Sequence, residues 1–230
     1  MFKPTVLGLL FNPFFIIRRG LYNGVSQFSD YMKGKLLDFG CGSKPYRELF
    51  NVSEYIGTDI EVSGHDHRHE TIDVYYDGKT LPFTDGSFDS VFSSEVFEHV
   101  FNLDQILSEL YRILKPGGHM LITVPFVWDE HEIPYDFARY TSFGLKHILR
   151  EKGFHIVQER KTSNYVETIF QMWAAYVYQH IFPRYKIIRI ALTPLLVTPI
   201  IVSGLLLAAI LPKNKNFFHN NVIVVRKSDI

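Results

Sequence analysis

Residues 36–59 read LLDFGCGSKPYRELFNVSEYIGTD: an apolar run ending in an acid, a turn opened by two glycines, a short helix, and a second acid closing another apolar run. This is the layout of a nucleoside-binding crevice at the carboxyl ends of adjacent parallel strands. Gly40 and Gly42 let the backbone turn tightly after the first strand and approach a ligand, since neither carries a β-carbon. Asp38 stands just before that turn and suits a ligand with an ammonium or other positive group. Asp59 ends the next strand, where a carboxylate accepts hydrogen bonds from both ribose hydroxyls. A nicotinamide dinucleotide fits poorly. Its pyrophosphate needs a third glycine and a helix amino end free of negative charge, whereas Pro45 occupies that place and Asp38 would repel a phosphate. The expected ligand is cationic.

LLDFGCG followed by an acid closing the next strand resembles the first two motifs of class I S-adenosylmethionine-dependent methyltransferases of the type 11-like group. Further along, DGKTLPFTDGSFDSVFSSEVFEHV and ELYRILKPGGHMLITVP resemble the third to fifth segments of that family, in order. The likeness covers roughly residues 35–157, with a last strand expected near 221–227. It implies an α/β fold: a doubly wound, Rossmann-like, seven-stranded sheet with the last strand antiparallel, and here an apolar helical insertion between the last two strands. By the same resemblance S-adenosyl-L-methionine is the cofactor. Asp38, Gly40 and Gly42 then surround its methionine part, and Asp59 with Ile60 holds the ribose. Asp77 and Gly78 take the adenine, and Ser94 and Glu95 face the crevice from the end of the fourth strand. Leu81, Pro82 and Phe83 form an apolar bend. Phe88 and Asp89 read as strand-start packing, and Pro116, Gly117 and Gly118 as a turn before the fifth strand.

The 230 residues suffice for a substantial core, and alternating strand-like and helix-like runs argue for a doubly wound sheet. Twenty-four basic residues balance 24 acidic ones, so no basic excess recruits nucleic acid, and none is expected as a partner. Cys41 is the single cysteine, which excludes an intramolecular disulfide and allows a reducing compartment. Inside the glycine turn it reads as packing rather than as a nucleophile.

Four segments are expected: apolar interfacial helices over 1–34, a cofactor-binding core over 35–162, an apolar helical membrane-associating insertion over 163–217, and the last core strand and tail over 218–230. Residues 2–17 are strongly apolar between Lys3 and the pair Arg18 and Arg19. No small-residue cleavage site follows and Pro13 interrupts the run, so an interfacial anchor fits better than a secretory signal. Residues 165–182 mix aromatic side chains with Glu167, Gln171, Gln179 and His180, as in a helix half in a membrane interface or in a substrate-domain core. Residues 190–211 carry no charge, and 22 helical residues reach ~33 Å against a hydrocarbon core of ~30 Å. Yet the flanking runs FHIVQER and NVIVVRK read as the sixth and seventh strands of one sheet, so both ends of the segment lie on one side. Basic residues flank it at both ends. A shallow hairpin bent at Pro194 and Pro199, lying at the interface or pairing with 165–182, is expected at a cytoplasmic membrane face, peripheral or monotopic. A buried dimer interface or soluble core helix is the alternative.

The stretch PFVWDEHEIPYDFARYT after the fifth strand lies where the family contacts its acceptor, and it resembles that of members associated with polysaccharide and lipid-linked glycan assembly. His131 is the expected general base, since an imidazole accepts a proton near neutrality. Asp136 is expected to orient it or bind a hydroxyl, Arg139 to hold an anionic group, and Tyr140 to line the pocket. Asp136 and Arg139 are also spaced for a helical ion pair. His99, beside Glu98, is a second catalytic candidate or a loop brace. The run HDHRHE over 65–70 brings His65, His67 and His69 to one face if extended, but a solvated loop is the expected reading and no metal ligand is assigned.

The resulting expectation is a methyltransferase working at a membrane surface on a lipid-linked glycan or otherwise lipophilic acceptor. A soluble small-molecule methyltransferase and a catalytically silent membrane or assembly module are the alternatives. Carbon, nitrogen and oxygen acceptors all remain open.

Overall fold

The computed structural model describes residues 3–61 and 71–229, so the histidine-rich run 65–70 lies outside the described residues. In chain order the elements are α1 (Val6–Phe11), α2 (Phe15–Phe28), β1 (Lys35–Phe39), β2 (Glu54–Ile60), β3 (Val74–Tyr76), β4 (Phe88–Ser94), α3 (Leu103–Ile113), β5 (Leu114–Pro125), α4 (Ser142–Glu151) and β6 (Phe154–Lys161). They continue with α5 (Tyr165–Tyr176), α6 (Lys186–Leu192), α7 (Thr198–Ile210) and β7 (Asn220–Lys227). By its internal contacts the chain divides into two compact units, Val25–Arg160 with Asn221–Ile230, and Met1–Gly24 with Lys161–Asn220.

The first unit is built on a seven-stranded sheet of order β3-β2-β1-β4-β5-β7-β6, with the last strand antiparallel to the others. β1 buries four of its five residues, as a central parallel strand covered on both faces must. Its register against β2 sets Leu37 beside Ile56 and Phe39 beside Thr58, and against β4 it sets Leu37 beside Val91. The sheet therefore reverses its winding between β1 and β4, and the crevice at such a switch point is where ligands of this architecture sit. Leu103, Ile106, Leu107, Leu110 and Ile113 recur at helical spacing along α3 and are all buried. They join Leu37, Phe88, Met120 and Ile223 in one core.

The expected turn at Pro116, Gly117 and Gly118 is corrected: these residues belong to β5, which already begins at Leu114. Phe88 pairs with Leu114 but Ser90 pairs with His119, so the extra residues are absorbed as an irregularity in the ladder instead of ending the strand.

The second unit is helical and apolar on the outside. Several of its polar side chains are nonetheless buried, Gln171, Thr168, Thr193 and Thr198 among them. Gln171 is fully buried, accepts from the N–H of Ile16 (2.9 Å) and Ile17 (3.4 Å), and donates to the Pro13 carbonyl (2.8 Å), capping the start of α2. Glu167 forms a capping box with Asn164 and pairs with Arg19 at 2.7 Å. Thr198 donates to the Leu10 carbonyl at 2.8 Å. Outward lie Val6, Leu7, Ile169, Trp173, Ile187, Ile190, Leu195, Leu206 and Ile210.

Pro194 and Pro199 do not bend residues 190–211 into a hairpin, which corrects that expectation. One helix runs over Lys186–Ile210, 25 residues or ~37 Å. Pro194 lacks the N–H for an ordinary helical bond, and the backbone accommodates it by widening to a π-helical stretch at Thr193–Val197; Pro199 then falls in the first turn of α7. The reversal lies earlier, at 182–185, so that α5 and the long helix pack side by side. Gly204 makes this close approach possible: a β-carbon there would stand 2.5 Å from that of Phe170.

Candidate active site

The glycine turn is held against the end of β2 by its own backbone. The N–H groups of Gly40 and Cys41 both donate to the Thr58 carbonyl, at 2.9 and 3.1 Å. Gly40 has φ +70°, and a β-carbon on it would lie 2.3 Å from Val96 Cγ2, so only glycine fits. Asp59 closes the loop. Its Oδ2 accepts from the Gly42 N–H at 3.0 Å and its Oδ1 from the Ile60 N–H at 2.9 Å, which fixes the carboxylate at the carboxyl end of β2.

Asp38 is 3% exposed and accepts a hydrogen bond from the Tyr55 hydroxyl. Burial pushes its carboxyl up to about 7, against the lowering pull of Tyr55 and Lys44. Asp77, exposed at the end of β3, accepts from the Thr80 N–H (2.7 Å) and the Lys79 N–H (2.8 Å), and these hold its carboxyl below the usual range. Gly78 beside it has φ +78°. At the end of β4 the Thr123 hydroxyl donates to Glu95 Oε1 at 2.7 Å. That hydroxyl therefore accepts from Ser94, at 2.8 Å. Glu95 sits at φ +55°, an uncommon conformation for a side chain of its size.

Three polar groups around the cradle escaped the sequence reading. Lys44 pairs with Asp73 at 2.6 Å, and Asp73 also accepts from the Gly57 N–H at 2.6 Å, tying the glycine turn to the start of β3. Tyr55 had a legible signal, because Tyr55, Gly57 and Asp59 alternate onto one face of β2. Lys44 and Asp73 meet only through the sheet.

A second cluster forms where a 3-10 turn, Phe97–His99, meets the loop after β5. The His99 and His131 rings stand edge to face, 4.7 Å between centroids. His99 Nδ1 lies 2.8 Å from the Tyr135 carbonyl, and His131 Nδ1 lies 3.1 Å from the Asp129 carbonyl and 3.3 Å from Asp136 Oδ2. These acceptors favour the tautomer with the proton on Nδ1 and a lone pair on Nε2 in both rings, against the weaker opposing approach of Arg139 Nη2 to His131 Nδ1 at 3.5 Å. Burial lowers the basicity of His99. Glu98 is fully buried beside them, and burial, reinforced by Glu95, pushes its carboxyl up.

Asp136 and Arg139 do pair, at 2.5 Å, but in a loop and not on a helix. Arg139 holds the Asp136 carboxyl down at about 2, and Asp136 also accepts from the His131 N–H at 2.9 Å. The guanidinium further donates to the carbonyls of Asp129 (2.7 Å) and Ala138 (2.8 Å). Both residues thus brace the loop that carries His131, which leaves Arg139 committed internally instead of offered to an anion. Tyr140 packs against the main core, its hydroxyl 3.4 Å from the Phe97 carbonyl.

Comparison with known proteins bears on this geometry at one stretch. Residues 37–122 match a methyltransferase domain. That domain spans β1, the glycine turn, Asp38, Asp59 and Asp77, and ends within β5. The chain is 26% identical over 151 residues to malonyl-[acyl-carrier protein] O-methyltransferase of Erwinia billingiae, covering 59% of this chain and 60% of that protein. It is 29% identical over 113 residues to fatty-acid O-methyltransferase of Mycolicibacterium smegmatis, covering 45% and 41%. The chain thus spans less than two thirds of the length of these curated relatives. Among solved structures, the [4+2]-cyclase SpnF superposes with a TM-score of 0.59 at 18% identity, covering 92% of this chain and 82% of that one. Phosphoethanolamine N-methyltransferase 2 of Haemonchus contortus, solved with S-adenosyl-L-methionine, gives 0.55 at 19%, covering 91% and 52%. At such identities these structures establish the fold: the Rossmann-like sheet of class I methyltransferases.

A charge measurement tests the methyltransferase-domain cradle directly. A cationic ligand binds the ionised form of Asp38, so binding below pH 7 must release a proton. Affinity for S-adenosylmethionine is expected to weaken about tenfold from pH 8 to pH 6 and to level off above pH 8. Calorimetry across that range reads it, and Asp38→Asn should flatten the slope. A flat profile in the unaltered protein would remove Asp38 from the ligand.

Proposed function

We propose that the protein is an S-adenosyl-L-methionine-dependent methyltransferase that acts at the cytoplasmic face of a membrane on a lipophilic acceptor, with a lipid-linked glycan precursor as the leading class. The observation that carries the reaction is the set of three carboxylates, Asp38, Asp59 and Asp77, at the ends of β1, β2 and β3 around the glycine turn of a matched methyltransferase domain. They suit in turn the methionine ammonium, the ribose hydroxyls and the adenine amine of the cofactor. Its sulfonium supplies the activated methyl group.

The chain's residues have three tasks: hold the donor, align the acceptor with the methyl carbon, and take the acceptor's proton. An acceptor lone pair attacks that carbon, the carbon–sulfur bond breaks, and its electron pair stays on sulfur. For a hydroxyl acceptor the displaced proton has takers in the cluster of His99, His131 and Glu132. Asp136 Oδ2, 3.3 Å from His131 Nδ1, would orient that ring.

The lipophilic acceptor is supported from two sides. One of the relatives is named for fatty acids, an apolar class of acceptor. The helical unit keeps an apolar core that includes Phe15, Ile16, Val197 and Ile201, yet leaves many further large apolar side chains exposed, among them Trp173, Ile187, Leu206 and Ile210. Arg184, Lys186 and Arg189 stand at one end of the long helix and Lys213 and Lys215 beyond the other, which favours a helix lying along an anionic surface with both ends in the headgroups. Shared attachment confines enzyme and acceptor to one plane.

Incubation of the purified protein with methyl-labelled donor and a crude lipid extract is expected to place label in the organic phase, on a product that mass analysis identifies. Label in the water-soluble fraction alone would overturn the lipophilic acceptor. Failure to bind the donor at all would favour a silent module.

A further inference from the structure

We propose that Glu98, His99 and His131 form a binding site for one divalent transition-metal ion, with open positions for an oxygen of the acceptor. The sequence reading assigned no metal here, because 32 residues separate the two histidines. Folding brings one ligand atom from each of the three to within 4.8 Å of the others.

Three observations point to an ion. Neither carboxylate oxygen of Glu98 has a hydrogen-bond partner among the described residues, although the side chain is fully buried. A buried carboxyl without partners is costly to keep, and a cation is the partner that would justify it. His99 Nε2 is likewise buried and without a hydrogen-bond partner, 3.8 Å from Glu98 Oε1. Finally, both imidazoles have Nδ1 fixed by acceptors, the arrangement that turns a bare Nε2 lone pair toward a metal and holds the ring in place.

Two ligands across an ion with bonds of ~2.1 Å stand at most ~4.2 Å apart, so ligand atoms spread over as much as 4.8 Å must draw in by about 0.6 Å to share one. The Glu132 carboxylate lies 3.6 Å from His99 Nε2 and 4.0 Å from His131 Nε2, beside the three ligands. Arg139 approaches His131 Nδ1 at 3.5 Å but is paired with Asp136. Two imidazoles and one carboxylate favour manganese, iron, cobalt or zinc over magnesium, and such a set leaves coordination positions free. Their use by the acceptor rests on the reading given under the proposed function; ion binding itself does not.

Cobalt(II) is the probe, titrated into the full chain in detergent and followed by visible absorption, with zinc(II) as competitor. One ion should bind per chain and zinc should displace it. His131→Ala, at a half-exposed position, should weaken binding at least 30-fold, and Glu98→Gln should do the same, while both variants still bind S-adenosylhomocysteine. If Glu98→Gln fails to fold, His131→Ala and the unaltered protein still decide. No cobalt bound at 100 micromolar, or equal binding by His131→Ala, overturns the site. Cobalt binding lost with S-adenosylhomocysteine binding intact strikes only the metal proposal, whereas absent S-adenosylhomocysteine binding in the unaltered protein strikes the methyltransferase reading.

Discussion

Asp59→Ala is expected to reduce affinity for S-adenosylmethionine by about 30- to 150-fold, or ~2–3 kcal/mol, the worth of charged hydrogen bonds to a ligand. The Asp59 carboxylate has its two oxygens set by the N–H groups of Gly42 and Ile60, so a ribose placed there would meet it without reorganisation. Removing it takes away both the ligand's partner and the tie that holds Gly42. Two comparisons separate these contributions. Asp59→Asn keeps one acceptor oxygen for the loop and loses the charge, so it should fall between the unaltered protein and alanine. Asp77→Asn, on an exposed carboxyl, should cost less than either. Calorimetry with S-adenosylhomocysteine and a thermal melt of each variant read the result; unchanged affinity in Asp59→Ala would end the ribose assignment and with it the cofactor's pose.

The second large effect concerns the helical unit. Ile187, Leu206 and Ile210 are 83, 64 and 77% exposed, and replacing all three with aspartate should move the protein from the floating to the bottom fraction of a liposome gradient. A charge costs about 2.5–3.5 kcal/mol at the centre of a membrane helix and ~1 near the surface, so even an interfacial placement loses roughly 100-fold in partitioning. Anionic vesicles should retain the unaltered protein better than neutral ones, given the basic residues at both helix ends. Cofactor affinity should not change, since none of the three belongs to the cradle. An unaltered protein that stays at the bottom with anionic vesicles would leave the soluble alternative standing.

The cradle was legible because its parts are local: a turn that demands glycine, acids at strand ends, and alternation along β2 are all written within a few residues. What escaped depends on distance. Lys44 and Asp73 are 29 residues apart and meet only because β2 lies between β1 and β3. His99 and His131 were each weighed alone, as base or brace, since nothing in either neighbourhood announces the other. Asp136 and Arg139 were given acceptor-site roles with a helical ion pair as the competing reading, because three-residue spacing says nothing about whether the backbone between them is helical. Pro194 misled for a different reason. A proline forbids one hydrogen bond, and the sequence does not reveal whether the chain answers by turning or by widening its coil.

β7 lies between β5 and β6, so the sheet keeps an open slot until residues 220–227 are made. The helices over 165–210 leave the ribosome before the strand that fills it. A nascent chain halted ahead of that strand would carry the glycine turn and its acids on an incomplete sheet, so competence to hold a ligand comes late in synthesis.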